Sequence, residues 1–296
     1  MRDYARPLNN VKLASHFITR VLQQECDSQV LGNLVNAEKL LTERTTTPTL
    51  SSDDDRLPPY CSDQERKALR QLIFRNLVSQ NRLTNDDDIS LEEGGVLPES
   101  GLKMEKQAII ITGLPASGKS TIAEKMADYY GAAIVDSDYA KRKFPEFRLA
   151  QGASMVHDES TLVTFGMASY PGELSVYGFM ISSEANIVIP KIGDNADNIR
   201  KMRDDLIAQG YDVHLVLVNV NRVVSTKRAL QRFVTTSRYV PLGLVFDGYA
   251  NDPTLAYYRM KDDKQWASTG KLSTEGDKPI LIHGCTHSPA TILYGA

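Results

Sequence analysis

The stretch Lys106-Gln-Ala-Ile-Ile-Ile-Thr-Gly-Leu-Pro-Ala-Ser-Gly-Lys-Ser-Thr121 decides the fold. It contains Gly113-x-x-x-x-Gly118-Lys119-Ser120, the full pattern of a phosphate-binding loop (P-loop). An apolar run with strand character, 108–111, precedes the loop, and a helix-forming run, 122–130, follows it. This strand–loop–helix context is what the pattern needs before it predicts phosphate binding.

The loop predicts a nucleotide site because its glycines let backbone N–H groups surround a phosphate, and the following helix adds the positive end of its dipole. Lys119 supplies a mobile cation and Ser120 a hydroxyl ligand for Mg²⁺, so the expected cofactors are ATP and Mg²⁺. A glycine-rich turn without a ligand is the structural alternative. The residues expected to contact the nucleotide are Gly113, Leu114, Pro115, Ala116, Ser117, Gly118, Lys119, Ser120 and Thr121.

From Lys106 onward, strand and helix patterns alternate, which predicts an α/β fold with a P-loop NTPase-type parallel sheet flanked by helices. After the strand that leads to the P-loop, four further runs read as strands, and the region 239–276 is expected to hold loops and one polar helix. These strands are predicted at 132–135, 186–189, 213–219 and 278–282.

The N-terminal part is predicted to be a small all-α domain, residues 1–83. Apolar residues recur at helical spacing across 9–43, and Ser62-Asp-Gln-Glu65 fits a capping box at the start of a third helix. A Thr-, Ser- and Asp-rich passage at 45–60 reads as a mobile loop, and 84–105 as a flexible acidic linker to the P-loop domain, 106–296. Three short helices make a thin core, so this domain is expected to rest on a larger one.

Composition excludes several functional classes. The net charge of −3 gives no overall basic field, so neither nucleic acid nor a membrane is an expected partner. No signal-peptide core or membrane-length apolar run is visible. The three cysteines, Cys26, Cys61 and Cys285, lack metal-ligand spacing and read as free thiols, which favours a cytoplasmic protein.

Two aspartates follow the second predicted strand, Asp136 and Asp138. Ligands of open α/β sheets bind at the carboxyl ends of the strands, beside the P-loop. One aspartate there could accept the proton of a substrate hydroxyl and the other could hold Mg²⁺. A helix N-cap is the alternative for either residue, and the spacing does not assign the roles.

Basic residues on a late predicted helix are the next candidates. Arg228 and Arg232 share one helix face, and Arg238 follows the helix. Arginines that face a P-loop would neutralise the charge of a transferring phosphoryl group, whereas a solvated helix face is the alternative. His157 and Glu159 could grip a polar substrate, or could belong to an ordinary capped helix end.

With the P-loop, the motif 135–139 (Val-Asp-Ser-Asp-Tyr), the following 142–145 and the late arginines, the chain resembles the zeta toxin family over about residues 105–285. These are P-loop kinases that phosphorylate UDP-N-acetylglucosamine and related UDP-sugars. The resemblance implies that Asp138 is the catalytic base and Lys119 the Walker lysine. It also implies that Arg232 and Arg238 contact the transferring phosphate.

One departure concerns the acceptor. The family pattern carries Glu-Gly-Thr after the third strand, where this chain has Pro190-Lys-Ile-Gly193. The glutamate on the substrate side is therefore missing or supplied elsewhere, by Glu159 or Glu184.

Zeta toxins are typically inhibited by a separate three-helix antitoxin that blocks the nucleotide site. Here about three helices precede the kinase, as in single-chain, EzeT-like members in which the N-terminal domain acts as an antitoxin in cis. The leading hypothesis is a self-restrained UDP-sugar kinase toxin. A metabolite or polynucleotide kinase and a non-catalytic nucleotide-binding switch are the alternatives.

Overall fold

A computed structural model describes residues 7–43, 47–149, 151–236 and 238–295. Ser237 and the first two residues of the predicted 45–60 loop lie outside the described residues. The helices of the described residues are α1 Val11–His16, α2 Ser28–Glu43, α3 Asp63–Ser79, α4 Lys119–Tyr130, α5 Ser137–Lys143, α6 Gly152–Met155, α7 His157–Phe165, α8 Val176–Ser182, α9 Ala196–Ala208, α10 Arg222–Thr236, α11 Asp252–Met260 and α12 Pro289–Tyr294. None of the helices in this described part of the chain is long and apolar enough to cross a lipid bilayer.

The strands form one six-stranded sheet in the order β2-β3-β1-β4-β5-β6. Pairs β2–β3 and β4–β5 are parallel, and β6 runs antiparallel to β5. The predicted α/β fold of the P-loop type is therefore confirmed, with an antiparallel strand at one edge. The strands are β1 Gln107–Thr112, β2 Ala133–Ile134, β3 Ile187–Lys191, β4 Asp212–Asn219, β5 Ser268–Ser273 and β6 Ile280–Gly284.

The expectation for 239–276 is wrong in one respect, because it missed β5. The strand reads Ser-Thr-Gly-Lys-Leu-Ser and has one aliphatic residue, Leu272. Its inward positions alternate as a strand requires, but two of the three are occupied by Ser268 and Gly270. A Cβ on Gly270 would lie 2.6 Å from Cβ of Ala290 in α12. Close packing by α12 thus selects a residue that carries no strand signal.

The chain divides into two compact units that do not follow the predicted boundaries at 83 and 105. One unit comprises the chain up to residue 44, 109–122, and 191 onward; the other comprises 45–108 and 123–190. Helices α1 and α2 belong to the first unit, whereas α3 and the predicted linker belong to the second.

In the first unit, α1 and α2 share an apolar cluster with α10 and the segment after it. Phe17, in a π-helical turn after α1, meets Phe246 edge to face with ring centroids 5.3 Å apart. This cluster buries apolar area that two short helices could not bury alone. Its buried members are Leu8, Ala14, Phe17, Ile18, Leu22, Leu34, Val35, Ala229, Leu230, Leu242 and Phe246.

In the second unit, α3 begins as predicted. Ser62 accepts from the amide of Glu65, and the Glu65 carboxylate accepts from the amide of Ser62, which confirms the capping box. The segment 84–105 differs from the expected flexible linker. Lys143 is 1% exposed, and its ammonium donates to the carbonyls of Ser90 at 2.8 Å and Glu93 at 2.9 Å. The acidic segment is thus folded onto its unit, because its backbone binds a buried cation.

We expect Lys143→Met to lower the free energy of unfolding by about 3 kcal/mol, because it leaves at least two partly buried carbonyls without a donor. Urea denaturation measures the loss, and amide exchange should rise within 84–97. The exposed Lys67 on α3 provides the matched control, since Lys67→Met should change stability by less than about 0.5 kcal/mol. Equal effects of the two substitutions would contradict this role of Lys143.

Candidate active site

The P-loop begins at Gly113, which packs closely against the backbone of β4. A Cβ on Gly113 would lie 2.5 Å from the carbonyl oxygen of Val218 in β4, so only glycine fits. Gly118 has φ +87° and Ala116 φ +59°, the left-handed conformations that bend the loop around its centre. Gly113 therefore allows the backbone of β4 to approach closely, and Gly118 allows the chain to reverse direction.

Two hydroxyl groups outside the loop hold its carbonyls. Thr274, just after β5, donates to the carbonyl of Ser117 at 2.6 Å, and Ser225 on α10 donates to the carbonyl of Pro115. These two bonds fix the backbone of the loop at Pro115 and Ser117, and a loop that binds phosphate needs such a preorganised backbone. Sequence reasoning missed both braces, because an isolated Ser or Thr carries no motif.

The Walker residues occupy the first turn of α4. The Lys119 ammonium donates to the carbonyls of Gly113 at 2.7 Å and Leu114 at 2.6 Å, while Ser120 and Thr121 are exposed. Within the described ranges, no group of three or more His, Cys, Asp or Glu side chains could hold a metal ion. Mg²⁺ is usually held by few protein ligands together with substrate phosphates, and Ser120 would be one of them.

The predicted arginines lie in the same unit as the P-loop. Arg228, one turn from Ser225, donates to the carbonyl of Thr274 at 2.6 Å. Arg232 and Arg238 are partly buried, and the Arg238 amide donates to Thr236. Arg228 therefore supports the residue that braces the P-loop, a structural role that the solvated-face alternative does not describe.

Sequence reasoning passed over a further arginine, Arg222. Its guanidinium lies over the ring of Phe246 at 4.3 Å and pairs with Asp247 at 3.3 Å. Arg222 is the first residue of α10 and does not share the four-residue spacing of Arg228 and Arg232. Its contacts with Phe246 and Asp247 therefore become visible only in the fold.

The two aspartates after β2, which belong to the second unit, have different surroundings. Asp136 is the N-cap of α5, and its carboxylate accepts from the amide of Asp138 at 3.0 Å. The Asp138 carboxylate lies in the first turn of α5 and accepts from the Lys141 ammonium at 3.1 Å. The N-cap reading therefore describes Asp136, and Asp138 presents the carboxylate that chemistry could use.

His157 begins α7 and lies within the electrostatic influence of α5. Burial lowers the pKa of the His157 imidazole, and the Lys141 ammonium lowers it further, against the opposing effect of Asp158 and Asp138. Because the ordinary value is already below 7, the ring is neutral at physiological pH. A neutral imidazole can both donate and accept a hydrogen bond with a polar substrate.

Glu159, one of the two proposed substitutes for the missing glutamate, is buried in this structure. It is 0% exposed, and its carboxylate accepts from Arg66 and Arg70 of α3 and from the Thr49 hydroxyl. Glu184, the other proposed substitute, precedes β3 and pairs with Lys106, which precedes β1, at 2.9 Å. Glu184 therefore lies at the amino ends of the strands, away from the edge where ligands bind.

The departure from the family pattern at 190–193 has a packing reason. Gly193 has φ +73°, and a Cβ there would lie 2.5 Å from Cγ2 of Thr112, the last residue of β1. The Ile192 carbonyl accepts from the amide of Gly113 at 3.0 Å. This stretch thus supports the start of the P-loop through its backbone.

These features define a P-loop α/β fold of the kinase type. Residues 99–249, just over half of the chain, match the zeta toxin family. The chain therefore belongs to the zeta toxin family, as its motifs indicated. Family and fold together support a phosphotransferase that binds ATP. No curated protein sequence matches the chain.

Two solved structures are similar to this chain at low sequence identity. A chain from the PezAT chromosomal toxin–antitoxin system of Streptococcus pneumoniae is 14% identical, with 79% of this chain and 89% of that chain covered and a TM-score of 0.48. A chain of the AvrRxo1-ORF1:AvrRxo1-ORF2 complex with sulphate ions is 18% identical, with 77% and 69% covered and a TM-score of 0.50. At such identities the likeness concerns the fold alone, and only the AvrRxo1 comparison supports it.

We expect Thr274→Val to raise the dissociation constant for ATP about tenfold, because the Ser117 carbonyl loses its donor and the loop loses its brace. Calorimetric titration with ATP measures the change. Ser273→Ala, at the neighbouring position, should leave ATP affinity within about twofold. Unchanged affinity in Thr274→Val would show that the loop holds its shape without this bond.

Proposed function

We propose that the protein transfers the γ-phosphoryl group of ATP to a hydroxyl of a UDP-activated amino sugar, such as UDP-N-acetylglucosamine. We also propose that it acts as a bacterial toxin restrained by its own N-terminal helices. The observation that carries the chemistry is the unequal pair after β2. Asp136 caps α5, which leaves Asp138 as a carboxylate in a helix first turn, beside a lysine and a neutral histidine.

The proposed reaction needs three contributions from the chain. The P-loop N–H groups and Lys119 hold the phosphates, and Arg232 and Arg238 compensate the charge that spreads over the transferring group. Asp138 takes the proton of the acceptor hydroxyl. The hydroxyl oxygen then bonds to the γ-phosphorus as the bond from that phosphorus to ADP breaks. Bound Mg²⁺, with Ser120 as a ligand, would neutralise phosphate charge.

We expect Asp138→Asn to retain ATP binding and to lower kcat at least about a hundredfold, because a carboxamide cannot take the hydroxyl proton. Transfer of ³²P from ATP to UDP-N-acetylglucosamine measures the rate. The comparison variant is Asp136→Asn, which keeps a capping side chain and should retain most activity.

Other outcomes of this assay point to other functions. Unchanged turnover in Asp138→Asn would place the base at Asp136 or elsewhere. Phosphate on a nucleic-acid 5′ end would favour a polynucleotide kinase, and ATP binding without any transfer would favour a nucleotide-binding switch.

The proposed restraint by α1 and α2 is supported by what they touch. Their apolar cluster includes α10, which carries the predicted arginines, and the P-loop residue Ala116 packs against it. Glu38 of α2 accepts from the hydroxyl of Tyr239, the residue after Arg238. The N-terminal helices therefore share a cluster with α10 and bind the segment with the candidate arginines, and a tethered inhibitor needs only modest intrinsic affinity.

Burial raises the pKa of the Glu38 carboxyl above its ordinary value, against the lowering effect of its bond from Tyr239. A raised pKa in the docked state means that docking is strongest at low pH. It weakens as the pH rises through that value.

We expect Phe17→Ala to raise the kinase activity of the full chain at least about tenfold, because loss of a buried phenyl ring weakens docking of the N-terminal helices by about 3 kcal/mol. The matched substitution is Val11→Ala on α1, where the side chain is 56% exposed and little should change. Initial rates at saturating ATP and UDP-N-acetylglucosamine measure the effect. If Phe17→Ala loosens α1 by hydrogen exchange without raising the rate, α1 and α2 do not restrain the enzyme.

A further inference from the structure

Strand β6 forms one edge of the six-stranded sheet, and the described part of the chain provides no strand on its outer side. Every second residue of β6 is exposed, Ile280 by 57% and Ile282 by 49%. Ile282 also lies at a register shift and has no partner residue in β5. Natural edge strands commonly carry charged side chains that prevent pairing with another chain, but Ile280–Gly284 contains no lysine, arginine, aspartate or glutamate. The outer edge of β6 is therefore open to a further strand.

A cationic patch lies beside this edge. It consists of Tyr258 of α11, Lys261 after α11, Lys271 of β5 and His283 of β6, the residue directly opposite Lys271. The Lys271 ammonium donates to the Tyr258 hydroxyl at 3.1 Å and lies 5.1 Å from the centre of the ring. The Lys261 ammonium lies 5.9 Å from the same centre, and the His283 ring 6.4 Å. Two ammonium groups and an imidazole thus surround one exposed tyrosine ring.

The positive charge of this patch is only partly compensated. Lys261 pairs with Asp262 at 2.7 Å. The described residues offer Lys271 no carboxylate, and its polar partner is the Tyr258 hydroxyl. Burial lowers the pKa of the His283 imidazole, and Lys271 and Lys261 lower it further, while Asp262 has the opposing effect. Because the Tyr258 oxygen accepts from Lys271, its O–H group stays available as a donor. An anionic group is therefore the ligand that this patch favours.

The sign of this charge disfavours a second copy of the chain as the occupant of the edge. Antiparallel pairing of two β6 strands about a two-fold axis places both cationic patches on the same face of the joined sheet, where they repel. An extended segment with carboxylate side chains is complementary instead. A residue opposite His283 on an added strand has its Cβ about 5 Å from that of His283, within reach of a carboxylate. A free anion would use the patch and leave the open backbone and the two isoleucines uncovered.

We propose that the outer edge of β6 binds an extended acidic segment of a partner protein as an additional strand, with its carboxylates against His283 and Lys271. The main-chain hydrogen bonds of the added strand supply affinity, and the side chains beside it supply selectivity. Ile280 and Ile282 cover apolar side chains of the same segment. Binding at this edge requires neither the P-loop nor the candidate base, so it is independent of phosphate transfer.

The test uses the full chain and three capped heptapeptides. The first alternates valine and glutamate, and the second replaces each glutamate by lysine. The third repeats the first with N-methyl groups on two adjacent amides, which block pairing along both edges of the peptide. Fluorescence anisotropy of the labelled peptides gives the dissociation constants. Hydrogen exchange of 280–284 locates the binding and, without peptide, shows that each protein variant is folded at β6.

The protein variants are Lys271→Gln and, as its matched control, Lys201→Gln at an exposed position of α9 outside the patch. We expect the valine–glutamate peptide to bind wild type and to slow exchange of 280–284. Lys271→Gln should weaken this binding at least about fivefold, because it removes the ammonium that lacks a carboxylate partner, and Lys201→Gln should change it less than about twofold. The lysine peptide and the N-methylated peptide should bind wild type at least about tenfold more weakly.

Four outcomes would contradict the acidic strand. No binding of the valine–glutamate peptide at about 1 mM would overturn the proposal outright. Equal affinity for the N-methylated peptide would show that the patch binds acids without strand addition. Equal affinity of wild type and Lys271→Gln for the valine–glutamate peptide would remove the role of the patch. Dimerisation of the free wild-type chain in sedimentation velocity, with 280–284 protected from exchange, would assign the edge to a second copy.

Discussion

The P-loop depends on one constraint, which is the absence of a side chain at Gly113. The Val218 carbonyl occupies the place of a Cβ, so β1 and the P-loop can approach β4 only with glycine there. From that contact the loop turns over, and hydroxyls from α10 and from the residue after β5 bind its carbonyls. The elements around the loop thus support its backbone at two carbonyls, and a supported loop needs less reorganisation when a phosphate binds.

The N-terminal third makes two chemically different contacts. Helices α1 and α2 bury apolar side chains against α10 and the segment that includes Phe246, whereas α3 buries two arginines against carboxylates. An apolar contact weakens gradually with lost area, while breaking one partner of a buried ion pair leaves a charge that strongly disfavours the intermediate. The two contacts therefore differ in how they respond to the loss of a partner, although they belong to one continuous stretch of chain.

At the two aspartates after β2, local geometry distinguishes roles that the residue type alone leaves open. The Asp136 carboxylate caps α5, whereas Asp138 accepts from the Lys141 ammonium and has it as its neighbour. Burial lowers the pKa of the His157 imidazole, and the same Lys141 ammonium lowers it further.

The sequence by itself determined the α/β class, the P-loop, the capping box of α3 and the family, because each depends on short-range patterns of glycine, apolar residues and capping side chains. It could not predict β5, whose inward positions are small, nor the braces at Ser225 and Thr274, which have no local signature. It also could not show that Glu159 faces Arg66 and Arg70, since these partners are separated by about ninety residues. Tertiary structure decided those points. A buried charge or a hydrogen-bonded carbonyl depends on partners that are distant in the sequence, and only folding brings those groups together.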